Sequence, residues 1–315
     1  MPLLKGIIPV IPTPFSENGE KADIEVFQRL VEHGIDEGAN ALCLFAAGAE
    51  FYKLTKEERK ELLNAAVAVN QGRVPILVTV SEHATLLAER EASYYQEHGA
   101  DAINIMPPSF AAPSGPMITR HLARVCKSVS IPAMIQYAPA LTGMTIALEA
   151  FREIMESGSI PELYVKLEAS PTGPLITSFQ NATKGKYHIV VGNGGECMYE
   201  ALERGACAVM PGLSMVRKFR EIYDMYSAGN AETAYKMFQR FLPFVHFMLR
   251  DIEQFVAMEK IILRDKGLLP NTLCREPNNY PDPYTINILN RLVRELNESE
   301  TNTPPFREGT GSFRQ

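Results

Sequence analysis

The chain of 315 residues is long enough for one large α/β barrel or two smaller domains, and its 46% hydrophobic and 22% charged residues are typical of a globular protein. Its net charge of −6 argues against nucleic-acid binding, and no apolar run approaches the roughly 20 residues that a membrane span needs. The N-terminus lacks the features of a signal peptide. We therefore expect a cytoplasmic protein that binds neither nucleic acid nor membranes.

Cysteines and histidines show no pattern that is typical of a metal site. The five cysteines are dispersed without CxxC spacing, and the six histidines form no HxH or HExxH motif, so we expect no disulfide framework, no metal ion and no histidine-based triad. The sequence has no glycine motif that would bind the phosphate of a cofactor, and we therefore predict no cofactor. The cysteines are Cys43, Cys126, Cys197, Cys207 and Cys274.

Predicted strands and helices alternate along the chain. Short apolar, β-branched runs predict strands, and apolar residues at helical spacing predict helices. The helix after Thr55 opens with a capping box, because Glu58 follows three residues later. Strands are predicted at 6–15, 39–45, 74–80, 102–106, 132–138, 164–169, 187–191 and 206–210, and helices at 24–37, from 55, and at 83–98, 116–128, 147–157, 173–182 and 196–204.

Eight strands in strict alternation with helices predict parallel strands joined by right-handed crossovers, which favours a closed (β/α)₈ TIM barrel. We place this barrel at residues 4–225. An appended C-terminal helical region is predicted at 226–299, with helices at 231–250, 251–266 and 285–296. The polar residues 300–315 are expected to be a disordered tail.

One lysine interrupts an apolar strand. Lys166 lies in the middle of the run from Leu163 to Ala169, and a buried lysine is costly unless it is neutral or paired. Desolvation favours the neutral amine, which is a nucleophile. Lys166 is therefore either an amine that attacks a carbonyl group or one half of a buried ion pair, for which Glu168 is a candidate partner.

Binding and catalytic residues of such barrels lie at the C-terminal ends of the strands. Small residues after the second strand would let a ligand reach backbone N–H groups, and a tyrosine near the lysine could transfer protons. A glycine-rich loop follows the seventh strand. The candidate substrate-binding residues are Ala47, Gly48, Gln136, Gly192, Asn193 and Met210, and the candidate catalytic residues are Lys166 and Tyr137.

Three patterns, in this order, resemble the dihydrodipicolinate synthase and N-acetylneuraminate lyase family of class I aldolases. They are the proline-rich segment 10–15, the segment 46–50 followed by Leu-Thr and Glu-Glu-Arg at 54–59, and Lys-Leu-Glu-Ala-Ser at 166–170, which has one residue more than the family pattern. The resemblance covers about residues 4–296. It implies a barrel with C-terminal helices, a homo-oligomer that is usually a tetramer, and an imine between Lys166 and pyruvate or the pyruvoyl end of a longer ketoacid.

Two of the family's binding groups are replaced in this chain. Ala47 and Gly48 stand where the family has two threonines that hold the pyruvoyl carboxylate, so only backbone N–H groups remain there. The family's catalytic tyrosine corresponds by spacing to Gln136, with Tyr137 one residue further on. Because side chains of a strand alternate between faces, either Gln136 replaces the tyrosine or a bulge brings Tyr137 inward.

Two further departures narrow the expected reaction. No tyrosine lies at Ser109–Phe110, where dihydrodipicolinate synthases lend one across a dimer, and Leu141 stands in place of their substrate-binding arginine. The Lys-x-Glu spacing resembles instead the branch that dehydrates 2-keto-3-deoxy sugar acids. Our hypothesis is a Schiff-base lyase that dehydrates or cleaves such an acid. The alternatives are a 4-hydroxy-tetrahydrodipicolinate synthase and a non-catalytic barrel that binds a ketoacid.

Overall fold

The computed structural model describes residues 3–156 and 160–301, within which eight parallel strands form one sheet. Their order in space is first, eighth, seventh, sixth, fifth, fourth, third and second. Backbone hydrogen bonds from Cys43 N to Pro9 O (2.9 Å) and from Ile11 N to Cys43 O (3.0 Å) close the sheet into a barrel. The strands are β1 (Gly6–Ile7), β2 (Leu42–Leu44), β3 (Ile76–Val80), β4 (Ala102–Ile105), β5 (Ala133–Tyr137), β6 (Leu163–Leu167), β7 (Tyr187–Val191) and β8 (Ala208–Val209).

Helices surround the barrel and continue beyond it, and the predicted (β/α)₈ fold with C-terminal helices is confirmed. The capping box of the second helix is also present, since Thr55 Oγ1 accepts from Glu58 N and the Glu58 carboxylate accepts from Thr55 N. The helices are α1 (Ile24–Asp36), α2 (Lys56–Asn70), α3 (Thr85–Glu97), α4 (Gly115–Lys127), α5 (Pro139–Thr142), α6 (Leu148–Glu156), α7 (Thr172–Thr183), α8 (Met198–Glu203), α9 (Val216–Ser227), α10 (Ala231–Met248), α11 (Ile252–Asp265) and α12 (Pro283–Thr301).

Several boundaries differ from the prediction for identifiable reasons. The strand predicted at 6–15 is regular only over two residues, because prolines at 9, 12 and 14 cannot donate to the ladder. Helices α5 and α9 were not predicted. The proposed boundary between residues 225 and 226 falls inside α9 and stays a prediction, and most of the tail predicted at 300–315 lies outside the described residues.

The barrel interior changes from apolar to polar along the strands. Alternate residues face inward, and nearer the strands' N-terminal ends they are apolar, with Leu77, Ala102 and Met134 in one cluster. Nearer the C-terminal ends of β4, β5 and β6, the inward residues are Asn104, Gln136 and Lys166. Gln136 pairs directly with Lys166 in the register of β5 and β6. The polar half of the interior therefore lies at the C-terminal ends, where the candidate site was expected.

The C-terminal helices cover part of this end of the barrel. Helix α11 packs against the turn Ala47–Ala49, which follows β2, and α10 packs against α9. No helix within residues 3–156 and 160–301 combines the length and apolar character needed to cross a bilayer. The turn between α10 and α11 lies over the mouth of the barrel, and its residues line part of the cavity at this end.

Candidate active site

A cavity of about 490 Å³ opens at the C-terminal ends of the strands. Its floor is formed by inward residues of the barrel, and its rim by loops after β2, β5, β6, β7 and β8 and by the turn between α10 and α11. This volume lies within the usual range for small-molecule sites and is larger than pyruvate alone requires. Of the predicted site residues, those lining it are Ala47, Gly48, Gln136, Lys166, Asn193 and Met210.

Lys166 and Glu168 form a close pair at the centre of the floor. Nζ of Lys166 lies 3.0 Å from Oε1 of Glu168, and the two side chains are only 7% and 12% exposed. They project from the same face because they are two residues apart at the end of β6. The ion pair with Glu168 that the sequence suggested is therefore present, and the paired amine also faces the cavity.

Gln136 fixes the second oxygen of this carboxylate. Its Nε2 donates to Oε2 of Glu168 over 2.6 Å, and its own Oε1 accepts from Nδ2 of Asn104 over 3.3 Å. Nδ2 of Asn104 lies 3.3 Å from Oγ1 of Thr79 as well. Four side chains from β3, β4, β5 and the end of β6 are therefore linked by hydrogen bonds across the barrel interior. Glu168 is held in one orientation beside the amine.

Tyr137 lies outside the cavity, so the catalytic role predicted for it does not fit the structure. Its ring packs edge-on against Phe151 of α6, with ring centroids 6.3 Å apart. The strand has no bulge that could turn it inward, since β5 keeps regular register with β6 through Gln136 and Tyr137. The physical reason is the alternation of faces: Gln136 points into the barrel, and its neighbour must point toward the helices.

The loop after β7 closes around the lysine–glutamate pair. A Cβ atom on Gly192 would lie 1.7 Å from Oε1 of Glu168 and 2.6 Å from Cε of Lys166, so a side chain here would displace the pair. The backbone N–H of Asn193 donates to Oε1 of Glu168 over 3.1 Å. Glu168 thus accepts hydrogen bonds from three directions, and Gly192 contributes by its lack of a side chain rather than by lining the cavity.

The turn after β2 provides the opposite wall. Ala47 and Gly48 line the cavity there and offer no side-chain donor. The turn is anchored by Glu50, which is fully buried and accepts hydrogen bonds from Nζ of Lys260 (2.5 Å) and from the backbone N–H of Arg275 (3.1 Å). A rigid turn of small residues therefore leaves backbone amides as the polar groups that a carboxylate could approach.

Cys43 lies on the inward face of β2 and is fully buried. Burial raises the pKa of its thiol to about 11, and the nearby Lys166 ammonium only partly opposes this. The thiol is therefore protonated near neutral pH and a weak nucleophile. Within the described part of the chain, His, Cys, Asp and Glu side chains form no group of three that could hold a metal ion.

Sequence reasoning left several cavity residues out of the candidate set. Glu168 was considered only as an ion-pair partner, although its two-residue spacing from Lys166 places both on one face. Asn104 was overlooked, although it is the one polar residue of β4 and shares a face with Ala102. No sequence signal marked the residues from the C-terminal helices, because their position depends on packing between distant segments. The cavity residues from the C-terminal helices are Leu249, Arg250, Asp251, Ile252 and Phe255.

Comparison with known proteins identifies the family. Residues 3–292 match the model of the dihydrodipicolinate synthetase family. The chain belongs to this family. The L-2-keto-3-deoxyarabonate dehydratase of Azospirillum brasilense is 29% identical over 303 residues, which cover 94% of this chain and 95% of that protein. A 4-hydroxy-tetrahydrodipicolinate synthase of Bifidobacterium longum is 26% identical over 278 residues, covering 88% of this chain and 89% of the relative.

Solved structures agree on the fold of this dihydrodipicolinate synthetase family member. The 4-hydroxy-tetrahydrodipicolinate synthase of Methylacidiphilum fumariolicum SolV superposes with a TM-score of 0.87 at 21% identity, over 95% of this chain and 97% of that one. With the family and its dehydratase and synthase relatives established, the chain is a lyase of the class I aldolase type. This finding favours an enzyme over the non-catalytic ketoacid-binding barrel.

Proposed function

We propose that this lyase dehydrates a 2-keto-3-deoxy sugar acid through an imine on Lys166. The observation that carries the proposal is the lysine–glutamate pair, with a nucleophile and a proton acceptor 3.0 Å apart on the floor of a cavity larger than pyruvate requires. The dehydratase relative, which matches 94% of this chain, supports the same reaction. Retro-aldol cleavage of such an acid would use the same imine.

Imine formation begins with transfer of the lysine proton within the pair. Glu168 accepts the proton of the Lys166 ammonium, and the neutral amine attacks the C2 ketone to form the Nζ–C2 bond. The former carbonyl oxygen leaves as water after it takes one proton from the attached nitrogen and one from the Glu168 carboxylic acid, and the iminium group remains. A carboxylate at C1 is accommodated by the backbone amides of the turn at Ala47 and Gly48, since no side-chain donor is present there.

Dehydration then follows from the electron demand of the iminium group. Glu168 removes a proton from C3, and the electron pair moves into the C2–C3 bond to give an enamine. The enamine expels the C4 hydroxyl, which takes up that proton and leaves as water, and an unsaturated iminium remains. Hydrolysis of the Nζ–C2 bond releases the product and regenerates the amine. Gln136 cannot exchange a proton and instead keeps Glu168 aligned.

The alternative synthase reaction has less support from the cavity. Leu141 lines the cavity where the family arginine is expected to meet the second substrate, and Tyr137 packs against Phe151 instead of facing Lys166. Incubation with pyruvate and aspartate semialdehyde tests this alternative directly. Formation of the cyclic condensation product would favour the synthase, and water loss from a 2-keto-3-deoxy acid without that product favours the dehydratase.

The test of the imine is reductive trapping. The protein is incubated with pyruvate, reduced with borohydride and analysed by peptide mass spectrometry, and we expect the added mass on the peptide that contains Lys166. Lys166→Ala should abolish the adduct. The control is Lys236→Met, which removes an exposed lysine of α10 that does not line the cavity, and in which the adduct on Lys166 should form as in the wild type. Failure of pyruvate and longer ketoacids to modify wild-type Lys166 would overturn the proposal.

We further propose a cytoplasmic homo-oligomer, a dimer or tetramer, as the family resemblance implies. Exposed apolar side chains on α3, on α4 and on the loop between β4 and α4 support an interface, and Phe110 in this loop is 84% exposed. All five cysteines are free, which agrees with a reducing compartment. Light scattering that gives the 35.0 kDa mass of one chain at micromolar concentration would contradict the oligomer.

A further inference from the structure

The hydrogen bonds across the barrel floor have a direction that the Glu168 carboxylate determines. An ionised carboxylate only accepts, so the side chain of Gln136 must present its Nε2 to Glu168. Oε1 of Gln136 then faces β4 and requires a donor. Asn104 supplies this donor with Nδ2. The Glu168 carboxylate therefore fixes the orientation of the Asn104 amide through the side chain of Gln136, which lies between them.

This orientation leaves the oxygen of Asn104 without a donor. Nδ2 faces Gln136 and Thr79, each at 3.3 Å, while Oδ1 is buried and accepts no hydrogen bond from the protein. Asn104 is fully buried and is also one of the residues that line the cavity. A buried acceptor without a donor is unfavourable, and such atoms are rare unless a ligand or a water satisfies them.

We propose that Asn104 is a specificity-determining residue that accepts a hydrogen bond from a hydroxyl group on the substrate's carbon chain, beyond the ketone. This inference rests on the proposed imine chemistry and adds the requirement for a hydroxylated ketoacid. A carboxylate or a ketone oxygen cannot satisfy Oδ1, because neither carries a proton. A hydroxyl group can, and a site built to bind a hydroxyl rejects the analogue that lacks it.

The position of Asn104 separates this contact from the carboxylate end. Lys166 on β6 holds C2, and the turn with Ala47 and Gly48 follows β2 on the other side of the barrel. Asn104 on β4 lies between these strands, one strand beyond Gln136. The cavity therefore offers backbone amide donors on one wall for an anion and the side-chain oxygen of Asn104 on its floor for a hydroxyl, which suits a 2-ketoacid with a hydroxylated chain.

The experiment compares two ketoacids that differ by one hydroxyl group, 2-oxopentanoate and 4-hydroxy-2-oxopentanoate. The concentration that gives half-maximal borohydride trapping on Lys166 is measured for each, and mass spectrometry separates intact adducts from pyruvate released by cleavage. In the wild type we expect a three- to tenfold lower half-saturating concentration for the hydroxy acid, as one hydrogen bond provides. In Asn104→Leu the two concentrations should become equal, and the concentration for pyruvate, measured alongside, shows how far the variant weakens imine formation in general.

Two further variants separate recognition from structural damage. Thr79→Val removes the other partner of Nδ2 but keeps Oδ1, and should keep the preference for the hydroxy acid. Asn104→Asp keeps an acceptor at the same position and should also keep the preference for the hydroxy acid. This variant still tests the acceptor if Asn104→Leu fails to fold. Equal affinities in the wild type, or a preference that persists in Asn104→Leu, would overturn this inference. A wild type that forms no adduct even with pyruvate would instead overturn the proposed function.

Discussion

At the scale of single residues, Glu168 is the group on which the proposed proton transfers depend. It touches the amine of Lys166 and is held by Gln136 and by the Asn193 N–H, so its carboxylate is positioned before any substrate binds. Pre-positioned groups of this kind typically contribute 10²- to 10⁴-fold to rate when they act as acid and base. Tyr137, which was a candidate for this task because a tyrosine can transfer protons, packs against Phe151 and does not line the cavity.

Glu168→Gln should separate proton transfer from imine formation. The amide cannot remove the C3 proton, so we expect turnover of a 2-keto-3-deoxy acid to fall by about 10²- to 10⁴-fold. The adduct on Lys166 should still form slowly under prolonged borohydride trapping with pyruvate. Tyr137→Phe is the control, because its ring contacts Phe151, and turnover should stay within about threefold of wild type. Comparable losses in both variants would contradict the assignment.

The sequence could predict Lys166 but not the residue that replaces the family tyrosine. A lysine inside an apolar strand can be recognised from the sequence alone, because burying an unpaired charge is costly. Whether Gln136 or Tyr137 faces inward depends on the phase of β5 relative to β6, which the register between the strands decides. Asn104 carried a usable signal, since an asparagine in a short apolar strand must either face a polar interior or be satisfied there.

At the scale of elements, α11 holds the turn after β2. Lys260 on this helix reaches the fully buried Glu50, and the two side chains are 1% and 0% exposed. Glu50 also contacts Nζ of Lys53 at 3.2 Å and adopts a left-handed backbone conformation with φ of 57°. Removing one partner of such a pair leaves the other charge buried, which is more costly than the net value of the pair.

Lys260→Met should therefore destabilise the protein by about 3–5 kcal/mol in urea unfolding. It should also raise the pyruvate concentration needed for half-maximal trapping, because the Ala47–Ala49 turn loses its anchor. Lys236→Met is the matched control, since Lys236 pairs with Glu232 on the exposed face of α10, and we expect a loss of under about 1 kcal/mol. Equal losses in both variants would show that the buried pair has no special role.

This contact could not have been predicted from the sequence. Helix α11 was expected at nearly its observed bounds from its apolar periodicity, but Glu50 and Lys260 lie 210 residues apart. Their meeting follows from how the C-terminal helices pack on the barrel, which periodicity does not determine. The barrel itself was predictable because eight alternating units of similar length leave few other arrangements of parallel strands.

At the scale of the whole molecule, one carboxylate joins three distant parts of the chain. Glu58 of α2 accepts from both terminal nitrogens of Arg275 (2.5 and 2.8 Å), from Thr55 N and from Ala22 N, the last two at 3.0 Å. Arg275 belongs to the segment after α11, and Ala22 precedes α1. Glu58, whose side chain is 12% exposed, is therefore one of the residues that connect the N-terminal part of the barrel to the C-terminal region.

The acid stability of the fold should report this connection. Burial alone would raise the pKa of Glu58, but the hydrogen bonds from Arg275, Thr55 and Ala22 lower it to about 2 from the usual 4.5. A carboxylate with a depressed folded-state pKa contributes stability that is present above pH 4.5 and is lost as the pH falls toward 2. The shift corresponds to about 3 kcal/mol at neutral pH.

Glu58→Gln should therefore lower the free energy of unfolding by about 3 kcal/mol at pH 7, while the difference from wild type shrinks to about 1 kcal/mol near pH 3 and vanishes near pH 2. Urea unfolding at several pH values measures both quantities. Glu57→Gln, at an exposed neighbouring position of the same helix turn, should change the stability little at any of them. A difference between Glu58→Gln and wild type that stays constant from pH 7 to pH 3 would mean that the amide disrupts packing, and that the charge on Glu58 does not hold the two regions together.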